Sequence, residues 1–109
     1  MEISISGVPP LVEVDNSGQA WVVIRFAPTP DVLWAELFFE GDDWQEQHGM
    51  EIRFETFRAP VEPGGVEELL TRLDRRVAET NQRRAEVARY HQELKRETEQ
   101  AVQRWWAGR

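Results

Sequence analysis

At 109 residues and with no cysteine, the chain has room for one domain and excludes both a disulfide framework and thiolate chemistry. It has no apolar run long enough to span a bilayer, and Met1-Glu2-Ile3-Ser4 has neither the basic stretch nor the apolar core of a secretory leader, so a cytoplasmic protein without a membrane partner is expected. The net charge of −7 is unevenly divided: residues 1–63 carry 12 acids against Arg25, Arg53 and Arg58, whereas residues 64–109 carry 8 acids against 10 bases. An acidic body of this kind repels nucleic-acid phosphates, and no nucleic-acid partner is expected.

Taken in order, Ile3 and Ile5 alternate with Ser4 and Ser6 in a short strand that Gly7-Val8-Pro9-Pro10 ends or bends. Leu11 to Val14, the turn Asp15-Asn16-Ser17-Gly18, and Ala20 to Phe26 read as a hairpin. The dense apolar run at 30–40 suits a buried strand or a short helix by periodicity. Its punctuation favours a helix, with Thr29 as N-cap, Pro30 in the first turn and Gly41 at the close. Asp42 to Gly49 reads as a polar loop, and Met50 to Phe57 as one further strand with Met50, Ile52 and Phe54 on the same face.

From Val66 to Ala107 there are 42 residues without Gly, Pro or Cys, which predicts one long helix with Gly64 or Gly65 as its cap. Unbroken, it would reach about 60 Å, far beyond a body of about 20 to 25 Å. Steps of four and three give a seam of Val66, Leu70, Leu73, Val77, Thr80, Arg84, Val87, His91, Leu94, Thr98, Ala101 and Trp105. The first turns are apolar enough to pack on a sheet, whereas the half from Thr80 onward admits polar groups that need water or a charged partner. Any break falls at Thr80-Asn81-Gln82, the weakest place by propensity. The fold class that follows is α+β, a small, mostly antiparallel sheet of three or four strands with a short helix and a long C-terminal helix on one face. All of it, residues 1–109, is read as a single domain, an acidic body at 1–63 followed by the helix at 66–107.

No catalytic or cofactor motif rises above background. His48 with Asp42, Asp43 and Glu46 has no metal-ligand spacing and reads as a solvated acidic loop. Arg72, Arg76 and Arg83 share a helix face bordered by glutamates and read as a solvated, salt-bridged surface. Trp105 and Trp106 are large rings at a helix end, where they are expected to dock on the chain's own sheet or on another surface. The function expected is therefore protein association, with Arg84, His91, Leu94, Val102, Trp105 and Trp106 as interaction residues, most simply in a homodimer and alternatively with a different protein. A third reading is a small-ligand or enzymatic pocket between sheet and helices, lined by Trp21, Trp34 and Trp44 with Glu36 as a candidate group.

Overall fold

The turn Asp15–Gly18 organises the first half of the sheet. In the computed structural model, which describes residues 2–40 and 49–109, the Asp15 carboxylate accepts hydrogen bonds from the Ser17 hydroxyl (2.6 Å), the Ser17 and Gln19 amides (2.9 and 3.0 Å) and the Trp21 indole (2.9 Å). These donors, the Ser17 hydroxyl foremost, hold the Asp15 carboxyl well below the usual carboxylate range. Gly18 closes the turn at φ 85°, where a side chain would be strained.

The turn joins β2 (Leu11–Val14) to β3 (Ala20–Ala27), the central strand of an antiparallel five-stranded sheet. One side of β3 pairs with β2, Leu11 opposite Val23 through Val14 opposite Ala20, and then with β1 (Ser4–Ile5), Ile5 opposite Phe26. Gly7-Val8-Pro9-Pro10 lies where the chain passes between the two partners. The other side pairs with β5 (Thr56–Pro60), and β4 (Glu51–Arg53) lies beyond it. The α+β class is as expected, and the sheet has five strands rather than three or four.

The additional strand comes from the segment Met50–Phe57, which is not one strand. The chain reverses at Phe54-Glu55, so that Arg53 pairs with Thr56 and the Phe26 amide donates to the Glu55 carbonyl at 2.6 Å. Phe54 adopts φ 55° and its ring is 77% exposed, a conformation no sequence pattern announces for phenylalanine. Met50 is buried, but Phe54 does not share its face.

Alternation along β3 sends Val22, Ile24 and Phe26 to one face, where they meet Phe57 and Ala59 of β5. Helix α1 (Val32–Phe39) covers that face with Trp34, Leu37 and Phe38. Trp34 stacks on Phe38 at 5.4 Å and meets Phe26 edge-on at 5.5 Å. On the opposite face Arg58 reaches Glu51 (3.0 Å) and Glu13 (3.3 Å) and lies over the Trp21 ring.

The apolar run is thus helical, over Val32–Phe39, but the N-cap is Asp31, whose carboxylate accepts from the Trp34 amide at 2.7 Å; Thr29 stands two residues too early and Pro30 lies before the cap. That amide, assisted by Arg84, holds the Asp31 carboxyl below its ordinary range. A carboxylate with a lowered folded-state pKa stabilises the fold above about pH 4 and loses that contribution as pH falls through its folded value. Asp31→Asn keeps the capping oxygen and cannot titrate. Its stability should therefore fall less steeply below about pH 4 than that of the parent, as read by urea midpoints; equal slopes would remove Asp31 from the acid limb.

A 3-10 turn at Pro63–Gly65 leads into α2 (Val66–Ala107), which has Gly65 as N-cap and runs unbroken for 42 residues. The fold measures 70 × 28 × 23 Å, its long dimension that of a rod and the other two those of a small body. The expected weak point at Thr80-Asn81-Gln82 does not break. Gly41 and the acidic loop with Asp42, Asp43, Trp44, Glu46 and His48 fall outside the described residues.

Candidate interaction surface

Two stretches of α2 differ in what surrounds them. Leu69, Leu73, Val77 and Thr80 are buried against the sheet and α1. Thr80, expected at the start of the wet half, is 1% exposed, and its hydroxyl donates to the Arg76 carbonyl one turn back. Asn81 then acts as a side-chain bridge. Its amide oxygen accepts from the Ile3 amide and the Trp34 indole, both at 2.9 Å, while its NH2 donates to the Ile3 carbonyl at 2.7 Å. One residue thereby ties the N-terminal strand region, α1 and α2 together.

The arginine face also differs from its expected form. The Arg76 guanidinium donates to the carbonyls of Phe38 (2.6 Å) and Glu40 (2.7 Å), and Arg83 donates to the Leu37 carbonyl (3.3 Å) and the Glu40 carboxylate (2.9 Å). Carbonyls at a helix C-terminus lack intrahelical partners and carry partial negative charge, which these cations satisfy. At the other end of α1, Arg84 pairs with the N-cap Asp31 at 3.1 Å. Arg76 and Arg83 thus fasten α1 while remaining salt-bridged as expected, to Glu79 at 3.8 Å and to Glu40, although Arg76 is largely covered rather than solvated; Arg84, one of the expected interaction residues, is already engaged within the chain.

Burial ends at Ala88. Every residue from Arg89 to Arg109 is exposed, including Tyr90, Leu94, Val102, Trp105 (62%) and Trp106 (67%). The transition comes about two turns later than the seam composition implied, because Asn81, Arg83 and Arg84 find partners in the body. At 3.6 residues per turn, Val87, Tyr90, Leu94, Ala101 and Trp105 fall within about 60° of one another. His91 and Val102 flank this stripe, and Trp106 lies about 100° from Trp105. Both indoles are exposed and neither is covered by the chain's own sheet; Arg109 sits 4.4 Å over the Trp105 ring, and the two rings are 6.4 Å apart. At the base of the stripe is a recess of 340 Å³ lined by Leu37, Glu40, Arg83, Glu86, Val87 and Tyr90.

The expected pocket tryptophans do not converge. Trp34 is in the core, Trp21 is on the opposite face of β3 beneath Arg58, and Trp44 is outside the described residues. Glu36 instead borders an open groove between α1 and the β4–β5 hairpin, with Phe39, Ile52 and Phe54. Among the described residues there is no cluster suited to a metal ion, and no helix is long and apolar enough to cross a membrane. No protein family, curated protein or solved structure matches the chain.

Proposed function

We propose that this chain is a small acidic cytoplasmic domain for protein association, and that it pairs with a second copy of itself through the distal part of α2. The observation that carries this reading is the aligned stripe of large apolar side chains on a rod with no burial past Ala88. Helices stable in water bury one face against something, and contiguous exposed apolar surface with aromatic anchors marks contact sites. A rod of Arg89–Arg109 would otherwise expose Leu94, Val102 and Trp105 without return.

Charge favours a second copy as the occupant. Residues 89–109 hold five bases against three acids, whereas residues 1–63 hold 12 acids against three bases. Each copy can therefore bring the cationic end of its rod, with Arg104 and Arg109 and no acid past Glu99, up to the other's anionic body, an attraction that salt screens. Sedimentation equilibrium of the full chain should give the mass of a dimer that dissociates on dilution, more readily at high salt. A monomer across the micromolar range would contradict self-association and leave the stripe to a different protein.

A further inference from the structure

Resting on that proposal of self-association, we infer that the two rods lie antiparallel, with Trp105 of each copy seated against Val87 at the recess beside the other copy's α1. The length of the rod is the first support. Residues 89–107 extend about 28 Å at 1.5 Å per residue, and the described body begins again at Ala88. Two such rods laid head to tail overlap completely, and each stops where the other's body starts.

The seam then selects the register. A relation that places Trp105 opposite Val87 also places Ala101 opposite His91 and Thr98 opposite Leu94. Each layer joins a large side chain to a smaller one, as close packing of facing positions requires. It brings Val102 over Ala88 on one flank and Arg104 beside Tyr90 on the other. A parallel pair would stack Trp105 on Trp105 and His91 on His91, leaving the half-buried recess of Leu37, Val87 and Tyr90 unfilled.

Electrostatics separates the two arrangements further. Parallel rods hold the two acidic bodies side by side, each with an excess of nine acids over bases in residues 1–63. Antiparallel rods move the bodies to opposite ends and lay a net positive rod end, with Arg104 and Arg109, beside Glu40 and Glu86 of the other copy. Near the dyad the flanks carry like pairs, Glu97 with Glu97 and Lys95 with Lys95. These positions are exposed and weakly coupled, and Lys95 already has Glu99 at 3.8 Å.

The native chain has no cysteine, so single introduced thiols report the register directly. In the antiparallel pair the two copies of residue 97 are offset by about 3 Å along the axis and those of residue 101 by about 15 Å; in the parallel pair the two copies of residue 101 meet in the core. Glu97→Cys and Ala101→Cys, both at exposed positions of the full chain, would be treated with a short bismaleimide, and the dimer mass of each would be checked by light scattering. The expected result is a covalent dimer from Glu97→Cys several-fold stronger than from Ala101→Cys. The reverse ratio would overturn the antiparallel arrangement and leave self-association standing. Dimers that cross-link at neither position would also overturn it, and variants and parent that are all monomeric would overturn both proposals.

Discussion

Asn81→Ala is expected to destabilise the fold by about 3 kcal/mol, although alanine is the better helix former. The substitution removes the partners of the Ile3 amide, the Ile3 carbonyl and the Trp34 indole. A polar group left unpaired away from water costs about 1 to 3 kcal/mol, and partial access of water keeps the sum toward the lower end. Against this, the gain in helix propensity from Asn to Ala is at most about 0.7 kcal/mol. The two effects have opposite signs, so the sign alone decides which dominates. A fall in Tm on the order of 10 °C is expected. A Tm that held or rose would mean that Asn81 is only a poor helix former at an exposed position.

Trp105→Ala is expected to weaken the dimer by about 1,000-fold, because each dimer loses two anchors worth about 2 kcal/mol apiece. The same change should leave monomer stability nearly untouched, because the ring is 62% exposed and its described contacts are local, with Arg109 and Trp106. Trp106→Ala is the internal comparison, since its ring lies about 100° away from the stripe. Sedimentation of both variants, with thermal unfolding at high dilution, checks the pair of statements. Equal effects of the two substitutions would show that the rings do not act through the stripe.

Much of this arrangement was legible in the residues. The hairpin follows from Asp15-Asn16-Ser17-Gly18, whose side chains and glycine make the turn by local chemistry alone. The helix at 32–39 is legible from the polar punctuation ahead of it, although the cap is Asp31 rather than Thr29 and Pro30 precedes the helix instead of opening it. The decline in seam quality along α2 also marks, to within about two turns, where packing ends. What escaped reading are the features decided by a distant partner. Asn81 is a weak helix residue until Ile3 and Trp34 are placed beside it, and Arg76 lies on a face of mixed charge until the carbonyls of Phe38 and Glu40 arrive. The reversal at Phe54 escaped for another reason: a phenylalanine at positive φ is imposed by its surroundings and carries no turn chemistry of its own.

Within the interaction residues, the same distinction applies. Arg84 belongs to the anchored part of α2 through Asp31, whereas His91, Leu94, Val102, Trp105 and Trp106 lie on the free part. The helix thus joins two tasks along one axis, a buried half that completes the core and an exposed half available to a partner.

If residues 89–109 carry association and the rest of the chain carries the fold, removing the distal rod separates the two. The most direct test compares the full chain with one ending at Ala88, measuring mass by light scattering and stability by urea unfolding at matched concentrations. The account predicts a dimer for the full chain and a folded monomer for the shortened one, the two having the same urea midpoint at a dilution where both are monomeric. A shortened chain that remains dimeric, or a full chain that is monomeric throughout, would contradict it.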